Sequence, residues 1–297
     1  MFKKLELCDK NVFDSFLTDY PFFIYDYSFT NLYLWKDLCG IEYNIIYDCL
    51  VIKVTNSEIG PCFMAPVSKE PLDDLALKKI VTFLASINSN PYLFVTIDTN
   101  FSERLKKIFK EELHIEADLD NFDYIYNGNK LKTLKGKKLS KKRNHYNKFK
   151  TSYNYELKSI DDQLTICDVL AFSDTWYNKK SNKTKELVYE NNAIGNLLIN
   201  KNALNLDALA LYVDNKVVGF TIGEKVSKDM AIIHVEKCDI EYDGSYTFLN
   251  KNFIEMFYPD IPYINREEDM GLPGLRKAKL SYYPERLEKK YFASLKI

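Results

Sequence analysis

The sequence predicts two consecutive α/β (α+β) domains of the same design, each a mixed, partly antiparallel sheet flanked by helices. Three observations lead to this prediction. The chain has 297 residues, which is enough for two ordinary domains. Its apolar residues alternate between the two-residue period of strands and the longer period of helices, and the same order of elements occurs twice. A lysine-rich segment lies between the two series.

Composition and charge exclude several classes of protein. Hydrophobic residues make up 46% of the chain, and 41 Lys and Arg residues balance 42 Asp and Glu residues, so we expect a soluble globular protein with only local contacts to phosphate. No apolar run has the ~20 residues of a transmembrane helix and no secretion signal opens the chain, which indicates a cytoplasmic protein. The six cysteines include no CxxC pair and the three histidines are widely separated, so reduced thiols and no metal site are expected.

The first series of elements occupies residues 1–130. Short β-branched and aromatic runs predict its strands, and apolar residues at helical spacing predict its helices, one of which opens at Pro71. The predicted elements, in order, are a strand at 3–7, helices at 9–20 and 28–38, a hairpin of 41–47 with 49–55, a strand at 62–65, a helix at 71–87, a strand at 92–97, a helix at 101–113 and a strand at 122–126.

The second series, in residues 152–297, repeats that order after a basic linker helix at 131–151. Its predicted elements are a strand at 153–157, helices at 161–177 and 184–201, a hairpin of 207–213 with 217–225, a strand at 231–235, a helix at 244–258, a strand at 263–266, a helix at 272–282 and a strand near 287–293. The correspondence of the two series indicates a tandem duplication.

This order is that of the acyl-coenzyme-A N-acyltransferase (GNAT) fold, so two tandem GNAT-like domains are predicted. In that fold strands four and five separate, which frees the backbone of strand four for an extended ligand, and the next helix offers N–H groups to phosphate. Cofactor contacts are therefore assigned in the second domain to Val235, Gly244, Ser245 and Tyr246. An ordinary capped turn is the alternative, because Glu241 and Asp243 would repel a pyrophosphate. The matching segment of the first domain, 66–70, is even less suited to bind a pyrophosphate, which predicts a supporting role for that domain.

The basic segment concentrates positive charge. No acidic residue lies between Tyr124 and Tyr155, and the interval contains Lys130, Lys132, Lys135, Lys137, Lys138, Lys141, Lys142, Arg143, Lys148 and Lys150. A solvated linker helix explains most of these residues. Arg143 differs, because a helix would place it on one stripe with Leu139 and Tyr146, which should face protein. An inward arginine needs a structural carboxylate or a ligand phosphate or carboxylate, and both interpretations remain open.

The candidate catalytic groups follow strand five of the second domain. The end of that strand, where side chains reach an open crevice, carries Asn265, Arg266, Glu267 and Asp269. Clustered carboxylates raise one another's pKa, so Glu267 or Asp269 suits a general base, although internal pairing with Lys or Arg explains them equally well. We expect Asn265 and Arg266 to contact substrate.

Two further groups of candidates lie on a helix and on a strand. Arg276, Lys279 and Tyr283 share one helix face, so Arg276 is predicted to bind phosphate, Lys279 to stabilise an oxyanion, and Tyr283 or Tyr282 to protonate a leaving group. A solvent-facing charged stripe is the alternative. Strand four adds two candidate substrate contacts on one face: His234 and Glu236. A hydrogen-bonded core histidine is the alternative for the first of these.

Three segments together resemble one known family: LKGKKLSKKRNHYNKF at 134–149, HVEKCD at 234–239 and NREEDMGLPGLRKAKLSYYPERLEKKY at 265–291. Over nearly its whole length the sequence resembles the bacterial family similar to the carboxyl-terminal domain of lysylphosphatidylglycerol synthase (phosphatidylglycerol lysyltransferase). The resemblance implies a basic KxxRN-type helix, matched by 141–144, and so adds Lys142 and Asn144 to Arg143 as substrate contacts. A late Phe-Lys pair of the family has Ala278-Lys279 as its nearest match; the lysine fits and the aromatic residue does not.

The residues and the resemblance together predict a transferase without a tightly bound cofactor. The resemblance implies a relationship to enzymes that move an amino acid from charged tRNA to a lipid or a peptidoglycan precursor. The acyl donor is then aminoacyl-tRNA, held through segment 130–150, or acetyl-coenzyme A, and the acceptor is a small or lipid-linked amine or hydroxyl. The non-enzymatic alternative is an inactive duplicated module that binds RNA or an anionic ligand.

Overall fold

The computed structural model describes residues 1–21, 24–55, 60–181 and 183–295. The strands of this part of the chain are β1 (Lys3–Lys4), β2 (Ile41–Ile46), β3 (Cys49–Val54), β4 (Cys62–Phe63), β5 (Val67–Ser68), β6 (Phe94–Ile97), β7 (Leu113–Ala117), β8 (Asp123–Asn127), β9 (Tyr155–Ser159), β10 (Leu206–Val213), β11 (Lys216–Lys225), β12 (Met230–Cys238), β13 (Tyr263–Asn265), β14 (Arg286–Glu288) and β15 (Tyr291–Leu295). The helices are α1 (Lys10–Leu17), α2 (Phe29–Cys39), α3 (Asp74–Ser86), α4 (Thr99–Phe109), α5 (Gly128–Thr133), α6 (Ser140–Ser152), α7 (Gln163–Asn178), α8 (Lys185–Ile199), α9 (Lys201–Leu204), α10 (Ser245–Phe257) and α11 (Pro273–Leu280). The predicted mixed α/β class is confirmed.

The chain divides into two compact units. The first contains Met1–Asp123 with Glu288–Ile297, and the second contains Tyr124–Leu287. The boundary therefore precedes residue 130, and the basic segment expected as a separate linker belongs to the second unit, where it forms α5 and α6. The end of the chain returns to the first unit, because β15 pairs with β6 and β7.

The first unit is built on the sheet β1-β2-β3-β4-β6-β15-β7, with β5 pairing beside β3. β4 and β6 run parallel, and the other pairs on this path are antiparallel. Lys290, immediately before β15, is buried and forms ion pairs with Asp26 and Asp123 at 2.5 and 2.7 Å. These contacts fix the returning strand within the first unit.

The second unit is built on the sheet β14-β8-β13-β12-β11-β10-β9. β9 to β12 form an antiparallel meander, β12 and β13 run parallel, and β8 lies antiparallel on the far side of β13. Phe248 and Phe253 of α10 pack with Phe149 of α6 in the buried core of this unit. Among the described residues, no helix combines the length and the apolar character that crossing a bilayer requires.

The two sheets have matching orders after the exchange of one strand. β8 ends the first series but pairs in the second sheet, whereas β15 ends the second series and lies between β6 and β7 in the first sheet. Each repeat thus contributes its last strand to the sheet of the other repeat. The correspondence supports the tandem duplication inferred from the sequence.

The sequence prediction missed several short elements: β5, β7, α5 and α9. The helix predicted to reach residue 113 ends at Phe109, because Lys110 has a φ of 49° and breaks the helical path before β7. The strand predicted near 287–293 is two strands, β14 and β15, which belong to different sheets. The division of this strand depends on pairing partners that are far away in sequence.

Candidate functional site

The second sheet opens between β12 and β13. Their parallel pairing covers Met230 with Tyr263, Ala231 with Ile264, and Ile232 with Asn265. β13 then ends, whereas β12 continues to Cys238. The separation expected between strands four and five is therefore present, and we call the region beyond this pairing the β12–β13 gap.

A mostly buried ion pair occupies the gap. The Arg266 guanidinium lies 2.7 Å from a carboxylate oxygen of Glu236, and the side chains are 13% and 9% exposed. Asn250 of α10 donates a hydrogen bond of 2.7 Å to the other oxygen of Glu236. Burial opposes the charge of Arg266, but the carboxylate of Glu236 outweighs it and raises the pKa of the guanidinium. The Nη1 atom of Arg266 is buried without a hydrogen-bond partner among the described residues, which leaves its two N–H groups for a ligand.

Lys142 reaches the same region from α6. Its ammonium lies 3.8 Å from the centre of the Tyr282 ring, and the Arg266 guanidinium lies 4.8 Å from that ring. Within the described residues Lys142 has no hydrogen bond or ion pair. Burial lowers the pKa of Lys142 to about 8, the charge of Arg266 adds to this effect, and Glu236 opposes it. Lys142 is thus a partly desolvated cation available to an anionic group.

His234 forms a second charged cluster with two glutamates. Its Nδ1 lies 2.9 Å from Oε1 of Glu267, its Nε2 lies 3.0 Å from Oε1 of Glu224, and its side chain is completely buried. Burial lowers the pKa of His234, but the hydrogen bonds to Glu224 and Glu267 outweigh it and raise that pKa to about 9. Burial raises the pKa of Glu267 to about 7, against the opposing effect of His234.

These shifts predict a pH-dependent stability. His234 has a higher pKa in the fold than its ordinary 6.5, so its stabilising protonation is complete below about pH 6.5 and is lost as the pH rises through about 9. The raised pKa of Glu267 acts in the same direction at lower pH, between about 4.5 and about 7. The free energy of unfolding should fall by roughly 3 kcal/mol across the window of His234, as measured by urea unfolding. His234→Gln should flatten the profile, whereas His114→Gln, at an exposed histidine, should leave it unchanged.

The candidates on and near α11 have mainly internal partners. Asp269 is buried and accepts hydrogen bonds from Arg276 at 2.8 and 2.7 Å, from Tyr124, and from the backbone of Gly271. These contacts favour a structural ion pair over the predicted roles of Asp269 as base and Arg276 as phosphate ligand. Lys279 donates to the backbone oxygen of Arg266 and interacts electrostatically with Glu267.

The two tyrosines after α11 differ in exposure. Tyr283 is 50% exposed, which makes it the less suitable of the two predicted proton donors. Tyr282 is the one that enters the gap, where its hydroxyl lies 3.1 Å from Thr247. Burial raises the pKa of Tyr282 to about 12. Asn265 is buried and accepts a hydrogen bond of 2.7 Å from the backbone N–H of Glu267, so it shapes the turn that carries that carboxylate.

The contacts of Arg143 on α6 differ from those predicted. The guanidinium of Arg143 donates to the backbone oxygens of Leu134 and Gly136 at 2.6 and 3.2 Å. Its partners are backbone carbonyls at the end of α5, rather than the carboxylate or ligand expected from the sequence. Asn144 is exposed on the same helix. Lys142 is therefore the member of the basic motif that reaches the β12–β13 gap.

The turn before α10, expected to hold phosphate, lies against α6. Asp243 pairs with Lys148 at 2.6 Å and with His145 at 3.1 Å. Ser245 donates to the backbone oxygen of Asp239 at 3.1 Å. The other two residues predicted to contact the cofactor also have partners within the protein. Tyr246 forms hydrogen bonds with Cys238 and Trp176, and Val235 is a buried strand residue paired with Ile222.

Gly244 makes the contact between this turn and α6 possible. It has a φ of 90°, and a Cβ at this position would lie 2.2 Å from the backbone oxygen of His145. Gly244→Ala should therefore destabilise the protein by about 1–3 kcal/mol in urea unfolding. Gly274→Ala is the matched control, because a Cβ there meets nothing within 4 Å; it should be neutral or stabilise by up to about 1 kcal/mol. Equal effects of the two changes would contradict the packing argument.

The corresponding place in the first unit is filled by a side chain. β4 and β6 pair at Phe63 with Phe94. Immediately beyond, the Tyr27 hydroxyl accepts a hydrogen bond from the Ala65 N–H at 2.8 Å and donates to the Ala65 oxygen at 3.4 Å. Tyr27 is completely buried. Its hydroxyl occupies backbone groups of Ala65 that an extended ligand would need.

Three polar residues of the second unit were not predicted from the sequence: Glu224, Thr247 and Asn250. The spacing of Thr247 and Asn250, one helical turn apart on an otherwise apolar face, was a usable signal. Glu224 gave none, because its pairing with His234 depends on the register of β11 and β12. A separate cavity of about 380 Å³ lies between α7 and the turn joining β10 to β11, with Trp176 and Tyr242 in its lining.

The fold is that of a tandem GNAT-like protein. A tandem GNAT protein from the clavulanic acid biosynthesis pathway has the same fold at a TM-score of 0.50 and 6% identity, over 84% of this chain and 79% of its own. L-PGS from Bacillus licheniformis has it at a TM-score of 0.60 and 14% identity, over 89% of this chain and 86% of its own. The predicted tandem GNAT-like fold is confirmed.

The family is more specific. The family described as phosphatidylglycerol lysyltransferase, C-terminal, matches residues 18–294, and the chain belongs to it. A conserved protein of unknown function from Bacteroides thetaiotaomicron is 33% identical, with a TM-score of 0.90 over 99% of each chain. The resemblance found in the sequence is thus confirmed, and family and fold together support the class of acyl and aminoacyl transferases.

Proposed function

We propose that the protein transfers an aminoacyl group from charged tRNA to an amine or hydroxyl acceptor, and that transfer takes place in the β12–β13 gap. The observation that carries the proposal is the position of Lys142. It stands on the basic helix α6 and reaches the buried cluster of Arg266 and Glu236 through the Tyr282 ring. It therefore connects a surface suited to phosphate with groups suited to acyl transfer.

Surface charge supports tRNA as the donor. Four exposed lysines beside the start of α6 have no ion pair within the described residues: Lys135, Lys137, Lys138 and Lys141. α6 begins at Ser140, so the positive end of its dipole adds to their field. A nucleic acid would neutralise these charges with its phosphates, and binding would weaken steeply with salt. Acetyl-coenzyme A is less well supported, because α6 covers the turn that would hold its pyrophosphate.

The proposed chemistry uses groups in or beside the gap. The acceptor attacks the ester carbonyl carbon, a new C–N or C–O bond forms, and the ester bond to the tRNA ribose breaks. Glu267, with its pKa raised by burial to about 7, takes the proton of the acceptor. Lys142 returns a proton to the ribose oxygen, and the free Nη1 donor of Arg266 stabilises the developing oxyanion.

A transfer assay tests the function. The protein is incubated with bulk tRNA carrying labelled amino acids, together with a lipid extract or a soluble cell-wall-precursor fraction, and in parallel with labelled acetyl-coenzyme A. The proposal expects label to leave tRNA and enter one acceptor fraction, and the family relationship favours a lipid or a cell-wall precursor. Label moving from acetyl-coenzyme A alone, or tRNA binding without ester loss, would overturn the proposal.

Two neighbouring lysines should separate catalysis from surface binding. Lys142→Met should lower kcat/KM for charged tRNA by about 10²-fold, because it removes a desolvated cation from the gap. Lys141→Met, at an exposed site, should weaken tRNA binding modestly and reduce the slope of binding against salt by about one. Filter binding and initial rates at several salt concentrations measure both effects. Identical behaviour of the two variants would remove the special role of Lys142.

A further inference from the structure

The cluster around His234 joins three separate elements. Glu224 lies on β11, His234 on β12, and Glu267 in the loop after β13. Each ring nitrogen of His234 faces a different carboxylate, at 2.9 and 3.0 Å. A neutral imidazole carries a single N–H, so only the imidazolium donates a hydrogen bond to both glutamates.

Two backbone irregularities direct this arrangement. Ile222 pairs with Val235 and Gly223 pairs with Ile233, so His234 is the extra residue of a β-bulge. Glu267 has a φ of 58°, and its backbone N–H donates a hydrogen bond of 2.7 Å to the side-chain oxygen of Asn265. Bulges and left-handed non-glycine residues that aim side chains at one point are typical of functional sites.

The charges around the cluster explain what Glu224 contributes. Glu268 and Lys279 act electrostatically on Glu267 from the following loop and from α11. Tyr258 lies near Glu224 and contacts Asp207 on β10. Among these charges, that of Glu224 favours the protonated form of His234. The resulting imidazolium in turn favours the ionised form of Glu267. Without Glu224, His234 would lose its proton at lower pH and Glu267 would lose its cationic neighbour.

We propose that Glu224 is a positioning residue that acts through His234 to keep Glu267 ionised and oriented as the proton acceptor. The proposal rests on the function proposed above for Glu267. During transfer the proton leaves the acceptor and is held on Glu267, while Glu224 and His234 remain its fixed partners. No further reactant is needed, because the proton returns to solvent after the product leaves.

The first test is independent of activity. The chain has three histidines, so NMR titration of labelled imidazoles resolves His234 after assignment by His114→Gln and His145→Gln. In the wild type His234 should titrate at least about one unit above an ordinary histidine, and in Glu224→Gln its pKa should fall by about one unit or more. An unchanged titration in Glu224→Gln would overturn the proposal even if the protein is an active transferase.

The second test uses the pH profile of transfer. Glu224→Gln should move the acidic limb of kcat/KM upward by about one unit, because Glu267 becomes harder to ionise. In a His234→Gln background the same change should move the limb no further, since Glu224 acts through His234. Equal shifts in both backgrounds would overturn the proposal. If neither the wild type nor any variant shows transfer, but Glu224→Gln still lowers the pKa of His234, the proposed function is wrong. The coupling between Glu224 and His234 is then retained.

Discussion

Glu267→Gln should lower the rate of aminoacyl transfer by about 10²- to 10⁴-fold, because it removes the proton acceptor. Glutamine keeps the size of the side chain and can still accept the hydrogen bond from His234. The variant should therefore remain folded and bind charged tRNA with nearly unchanged affinity. Single-turnover measurements with saturating enzyme isolate the transfer step from binding.

Glu241→Gln provides the control, because Glu241 is an exposed carboxylate in the turn before α10. This change should alter the transfer rate by less than about twofold. A Glu267→Gln variant that retains the wild-type rate would show that another group takes the proton. A variant that binds no tRNA would instead indicate that Glu267 helps to bind the donor.

Arg266→Met should destabilise the fold by about 3–5 kcal/mol, because it leaves Glu236 as an unpaired and mostly buried charge. Glu236→Gln should also destabilise, since it removes the negative partner of Arg266. The double variant Arg266→Met/Glu236→Gln should cost less than the sum of the two single changes, by about 0.5–3 kcal/mol. Urea unfolding at neutral pH measures all four proteins.

The same four proteins also show whether Arg266 is only a structural partner of Glu236 or takes part in the reaction. The double variant should recover stability but remain inactive, because the free Nη1 donor of Arg266 is absent. Additive destabilisation would contradict the pairing of Arg266 with Glu236. Recovery of both stability and transfer in the double variant would contradict a role for Arg266 in the reaction.

The sequence was sufficient to predict the fold and to indicate candidate residues for the site. Local periodicity and the repeated order of elements predicted the tandem GNAT-like architecture. The charged run after β13 drew attention to Arg266 and Glu267, and the structure places them in contact with Glu236 and His234, which strand alternation had put on one face of strand four. The fold prediction succeeded because it depends on patterns of residues close in sequence.

The failures depend on tertiary contacts. The pattern of α6 predicted that Arg143 needs a carboxylate or a ligand, but Arg143 finds its acceptors in backbone carbonyls of a bend that no periodicity reveals. Choosing Tyr282 over Tyr283 requires the end of α11, where Tyr283 adopts a φ of 55°. The strand exchange was also invisible, since β8 and β15 fit either sheet by composition.

Competitive chemical labelling of Lys142 tests whether the aminoacyl group of charged tRNA enters the β12–β13 gap. Because its pKa is lowered to about 8, Lys142 should react faster with an amine-specific reagent than ordinary lysines do at mildly alkaline pH. Charged tRNA with the ester replaced by an amide should suppress labelling of Lys142 at least about fivefold more than uncharged tRNA does, while exposed Lys78 should label equally in both. Equal labelling of Lys142 with saturating charged and uncharged tRNA would contradict an aminoacyl group in the β12–β13 gap.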